Sequence, residues 1–167
     1  MGEIRDLKEN KEMEQLEGVF YSTIFKTDMQ VCIEDGVDMD YAERCVKHFN
    51  SLDDKAIDSF CEDAWKYYQY MLEEWPEFDY DDIADEIRAT IPADAKPRDL
   101  LQYIKPGELH ILPPEEDIPA WEFTADCVWE PEHGLSWIQR GDKLLYVGQV
   151  ECLGPWSDGR YYKIWEE

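Results

Sequence analysis

The alternation of apolar and polar positions divides the chain into stretches of different period. The longest regular stretch is Ser51–Trp75, SLDDKAIDSFCEDAWKYYQYMLEEW. Ile57, Phe60, Cys61, Ala64, Trp65, Tyr68, Met71, Leu72 and Trp75 recur there at steps of three and four, which places them on one stripe of an α-helix. Asp53, Asp54, Asp58, Glu62, Asp63, Glu73 and Glu74 fall mostly on the other side. Ser51 is the expected N-cap, with Asp54 three residues on, and Pro76 is the expected stop, because a residue before proline avoids the α region. Trp65 is expected on the buried stripe. Tyr67 and Tyr70 lie off it, so either the helix is covered on two sides or these rings are exposed.

Shorter patterns flank this helix. Residues 1–17 carry only thinly spread apolar side chains and read as a peripheral or frayed helix. Val19–Phe25 and Met29–Glu34 are β-prone runs joined by a loop at Lys26–Asp28, a hairpin. Tyr41, Ala42, Cys45, Val46 and Phe49 form a second helical stripe, with Asp40 as its expected cap. Beyond Pro76, Ile83, Ala84, Ile87 and Ile91 predict a short helix with an acidic first turn, Pro97 opens another through Ile104, and Glu108–Leu112 is a short strand. The period then drops to two. Trp121, Phe123, Ala125, Cys127 and Trp129 alternate with Glu122, Thr124, Asp126, Val128 and Glu130, a half-buried strand. Gly134–Arg140 and Lys143–Cys152 predict two more strands around a two-residue turn at Gly141-Asp142, and Tyr161–Trp165 an added edge strand. The prediction is one α+β domain over 1–167: an antiparallel sheet, made of the N-terminal hairpin and a C-terminal meander, packed against a helical middle segment with one long central helix.

Composition narrows the function classes. The 167 residues hold 16 Lys plus Arg against 40 Asp plus Glu, a net charge of −24. Such a charge repels nucleic-acid phosphates and anionic membrane surfaces and attracts basic partners or cations. No run approaches the ~18 apolar residues of a membrane span, and the N-terminus lacks the apolar core of a secretory signal. Five cysteines, widely spaced and without a CxxC pair, read as reduced residues in a cytoplasmic protein.

The most distinctive motif is Trp129-Glu130-Pro131-Glu132-His133-Gly134. One reading is catalytic, with Glu130 or Glu132 tuning His133 as a general base. A second is metal binding through His133, Glu130 and Cys127. The third is a structural turn, in which Gly134 takes a positive φ, Trp129 packs and His133 bonds to local backbone. The structural turn is the expectation. His48 and His110 fit no zinc spacing, and Glu34–Asp40 does not follow the order of an EF-hand loop, so neither a metal nor a cofactor is expected. There is no P-loop, dinucleotide-binding, nucleophile-elbow or HExxH motif.

The turn also carries a resemblance. Trp129, Glu130, Glu132, His133 and Gly134, with weaker support from Trp137, Tyr146 and Gly148, resemble a group of uncharacterised bacterial domain families that share a Trp–acid–x–Glu–His–Gly turn. Members of such groups are sometimes associated with toxin–immunity systems, so the resemblance implies an immunity-like binder and brings no catalytic residues with it. Together with the charge, it gives the functional expectation: a monomeric or weakly dimeric protein that occludes a basic surface on a protein partner. Asp79, Asp81, Asp82 and Asp85, with Asp58 and Glu62 on the outer face of the central helix, are the expected contact residues. The alternative is a small enzyme or ligand-binding module with its site at Glu132 and His133.

Overall fold

In the computed structural model, which describes residues 2–166, seven strands form one sheet in chain order. β1 (Arg5–Asn10), β2 (Gln15–Ser22) and β3 (Thr27–Glu34) make an antiparallel meander. Three helices follow: α1 (Met39–Asn50), α2 (Asp54–Glu77) and α3 (Asp81–Thr90). A 3-10 helix at Pro97–Tyr103 leads back into the sheet. There β4 (Ile104–Ile111), β5 (Ala120–Cys127), β6 (Leu135–Arg140) and β7 (Lys143–Gly148) form the second antiparallel meander. The two meanders join through the parallel pair β3–β4. The α+β prediction is therefore met, with the helical middle serving as the crossover that a parallel pair requires.

The helices cover one face. Phe49 of α1 packs edge-on against Trp121, and Phe60 of α2 stacks on Trp137 with ring centroids 4.0 Å apart. The α1 stripe, Tyr41, Ala42, Cys45, Val46 and Phe49, is buried as its spacing predicts. So are Trp121, Phe123, Ala125 and Cys127 of β5.

Several local expectations are corrected. The segment 1–17 is not a helix: it supplies the exposed edge strand β1 and the start of β2. Ser51 closes α1, and Asp53 is the N-cap of α2, its side chain accepting from Ala56 N–H. Asp38, not Asp40, caps α1. Trp65 is only half-buried, whereas Tyr67 is fully buried, because the 3-10 helix at Pro97–Tyr103, α3 and β7 cover α2 on several sides. Tyr161–Trp165 adds no strand. The tail turns at Gly154–Ser157, where Arg140 donates to Pro155 C=O, and returns to α2 through the Lys163–Asp63 ion pair. Trp165 Nε1 donates to Val147 C=O, so the tail lies along β7 and shields that edge of the sheet.

Pro76 does not stop α2 but lies within its last turn. The stop is a Schellman motif two residues further on. Asp79 N–H donates to Pro76 C=O and Tyr80 N–H to Trp75 C=O, at 3.0 and 2.8 Å. Asp79 takes the left-handed conformation, φ 65°, where glycine is usual. The hydrophobic contact of the motif is the edge-on pair Trp75–Tyr80.

Candidate functional site

Glu130 organises the turn between β5 and β6. Its carboxylate is buried, 2% exposed, and accepts from three donors of the same turn. Oε1 takes the N–H groups of Glu132 and His133 at 2.9 and 3.1 Å, and Oε2 lies 2.9 Å from His133 Nδ1. Three donors satisfy most of what a buried carboxylate needs. The contacts hold Glu130 in place within its own turn. Gly134 has φ 66°, and a Cβ there would sit 2.6 Å from Ala125 C=O, so backbone packing as well as conformation reserves this position for glycine. Tyr67 Oη donates to Gly134 C=O at 2.7 Å, and Trp75 Nε1 donates to Trp129 C=O at 3.0 Å. The turn is thus tied to both ends of the second half of α2. Cys127 is buried with its thiol 4.0 Å from Glu130 C=O, and among the described residues Cys127, Glu130 and His133 do not form a group with ligand atoms close enough to hold a metal. His133 itself is largely exposed, and its hydrogen bond to Glu130 raises its pKa above the ordinary histidine value.

Glu132 and His133 stand on a ridge between two concavities. On the helix side, a cleft of about 490 Å³ is lined by Tyr70, Met71, Trp75, Phe78, Tyr80 and Ile164, with Glu130, Glu132 and His133 at its rim. Phe78 is 60% exposed and Tyr80 45%. Both are held there by the Schellman turn. Asp79, Asp81 and Asp82 are exposed beside them, and Asp85 follows one turn into α3 with Arg88 as a nearby counter-charge, at 3.9 Å. The first turn of α3 has no side-chain cap, so Asp81 and Asp82 face its positive end directly. The other two expected contact residues lie elsewhere. Asp58 is held by Arg98 at 2.6 Å, and Glu62 is exposed one turn on. From Asp58 to the end of α2 is roughly 30 Å at ~1.5 Å per residue. The six acidic candidates therefore form two separate patches, and of these the one at Asp79–Asp85 adjoins the aromatic cleft.

On the opposite face of the sheet, a second cavity of about 660 Å³ is lined by Glu108, His110, Glu122, Thr124, Glu132 and His133 among others. Strand register assembles it. Cys32 pairs with His110, His110 with Glu122, and Thr124 with Ser136. Burial pushes Glu122 up to about 7, against the partial relief of the Ser136 hydroxyl that donates to it at 2.6 Å. His110, half-buried, is pushed below the ordinary histidine value by desolvation, and its Nε2 lies 3.0 Å from Thr124 Oγ1. The Cys32 thiol donates to Glu108 Oε2 at 3.0 Å, and burial with this acceptor lifts its pKa to about 12. Among the described residues, Cys32, Glu108 and His110 bring one ligand atom each within 4.8 Å of one another, a grouping that could hold a metal ion. Nothing in the sequence pairs them: Cys32 and Glu108 are 76 positions apart, and only the parallel β3–β4 register brings them together.

Residues 4–154 match the family described as "Domain of unknown function (DUF6985)". The match spans most of the chain, including the whole sheet, the three helices and the Glu130 turn, and the chain belongs to that family. No curated protein and no solved structure matches it. No helix of the described residues is long and apolar enough to cross a membrane.

Proposed function

We propose that this member of the DUF6985 family acts by binding a basic protein, with the cleft beside the Schellman turn as the contact site. The observation that supports this reading is the coincidence of exposed aromatic side chains and exposed carboxylates in one segment. Phe78 and Tyr80 are largely exposed, yet they flank Asp79 and precede Asp81 and Asp82. Exposed large aromatics beside a concavity have the anatomy of an interface centre, and the carboxylates supply the polar rim. A partner that fits would insert an apolar side chain into the cleft and surround it with Lys or Arg. Binding would cover the partner's basic surface, and a phosphate-binding cleft of a nuclease-like toxin is such a surface. The resemblance of the Glu130 turn to immunity-associated families agrees with this occlusion mechanism.

Peptide display against the immobilised protein tests the reading without a partner in hand. Enriched peptides are expected to carry Lys or Arg around an apolar anchor, and to lose binding to the Phe78→Ala and Tyr80→Ala variants. Enrichment of acidic or purely apolar peptides, or retention by both variants, would refute it.

The alternative at Glu132 and His133 draws support from the second cavity, where the half-buried carboxylate of Glu122 and two histidines line one space. On that reading a small ligand protects His110 and His133 resonances in NMR, and the Phe78 variant leaves its binding unchanged.

A further inference from the structure

The cluster on the open face of the sheet points to a site that the protein-binding reading does not use. We propose that Cys32, Glu108 and His110 form a zinc site, with three protein ligands and a fourth position open to the cavity.

The geometry carries the proposal. Cys32 and His110 are direct neighbours across β3–β4, and Glu108 lies two residues before His110 on the same face of β4. The ligand atoms Sγ, Oε2 and Nε2 all lie within 4.8 Å of one another. Sγ is 3.0 Å from Oε2, and Nε2 is 3.6 Å from the same oxygen. A tetrahedral zinc with ligand distances of about 2.0–2.3 Å requires ligand atoms roughly 3.4–3.7 Å apart. The 3.6 Å separation lies within that range and the 3.0 Å one just below it, so these ligand atoms are already close to a tetrahedral arrangement. The strands themselves are fixed by the ladder, which makes the site rigid rather than loop-borne.

The donor set selects the metal. A thiolate, an imidazole and a carboxylate together suit zinc, whereas magnesium and calcium take oxygen ligands alone. The surroundings provide supporting contacts for such a centre. The Gln30 side-chain amide donates to Cys32 Sγ at 3.4 Å, a bond that favours thiolate. Thr124 Oγ1 lies beside His110 Nε2 and would turn to a water on the open position. On binding, zinc displaces the thiol proton, which is released to solvent, and the S–H···O bond to Glu108 is replaced by two bonds to the metal.

The test is titration of chelator-treated, full-length protein with zinc by calorimetry, with cobalt(II) as a spectroscopic probe. Wild type is expected to bind one equivalent of zinc and to give a thiolate-to-cobalt charge-transfer band. Cys32→Ser and His110→Gln are expected to weaken zinc binding at least about 100-fold, and Cys32→Ser to abolish the band. Cys152, the exposed cysteine, serves as control, and Cys152→Ser should change nothing. If Cys32→Ser does not fold, His110→Gln decides, since that side chain is partly exposed and its loss leaves the core intact. Absence of binding, binding that persists unchanged in His110→Gln, or a band lost in Cys152→Ser would each overturn the proposal.

Discussion

At the scale of single residues, the turn after β5 rests on a few polar contacts that the sequence signals only in part. The glycine requirement at Gly134 is legible, because the turn needs the positive φ found there; the ring of His133, expected to bond local backbone, bonds the Glu130 carboxylate instead. The role of Tyr67 is not legible. It lies off the main apolar stripe of α2, and its burial follows from packing that covers the helix on more than one side. Tyr67→Phe leaves Gly134 C=O without this donor at a part-buried site, and is expected to cost about 1 kcal/mol in chemical denaturation. Gly134→Ala is expected to cost on the order of 2 kcal/mol or more, since a left-handed φ and a backbone clash act together. An unchanged midpoint in either variant would contradict the turn geometry. His133 gives the pH dependence. Its folded pKa is raised by Glu130, so the pair's contribution to stability is fully present below the unfolded value near 6.5, and is lost as pH rises through the higher folded value. NMR titration of His133 should show the raised value in wild type and its return in Glu130→Gln.

At the scale of elements, periodicity identifies α1, α2, α3 and most strands, because each buries one face against the same core. It fails at two kinds of place. β1 lies on the sheet edge with nearly every residue exposed, so no burial pattern marks it as a strand. The end of α2 is hidden because its left-handed terminator is Asp79, and the usual glycine signal is absent. Asp79 is unfavourable there twice over, as a side chain with a Cβ at positive φ and as a negative charge at a helix C-terminus. Asp79→Gly is therefore expected to stabilise the fold by about 0.5–1 kcal/mol, raising the thermal midpoint, while weakening binding of the basic partner. A stabilised variant with undiminished binding would separate Asp79 from the interface. The Cys32–Glu108–His110 cluster also lies beyond sequence reading, since a register between residues 76 positions apart leaves no local spacing to recognise.

At the scale of the whole molecule, the charge of −24 is plain from composition, but its distribution is not. The structure separates the Asp58–Glu62 surface, engaged by Arg98, from the Asp79–Asp85 patch beside the aromatic cleft. Exposed carboxylates steer a basic partner over about 8 Å at physiological ionic strength, so steering concentrates at the patch that also offers apolar anchors. The most direct test is the association rate of a captured basic partner, or of the best displayed peptide, measured at about 20 and 300 mM salt with wild type and with Asp79, Asp81, Asp82 and Asp85 all changed to Asn. Asn suits the left-handed position at 79, so the fold is retained. The expected result is an association rate that falls at least about tenfold across that salt range in wild type, and a slower, nearly salt-independent rate in the Asn variant. Equal rates for the two proteins at both salt concentrations would contradict the account.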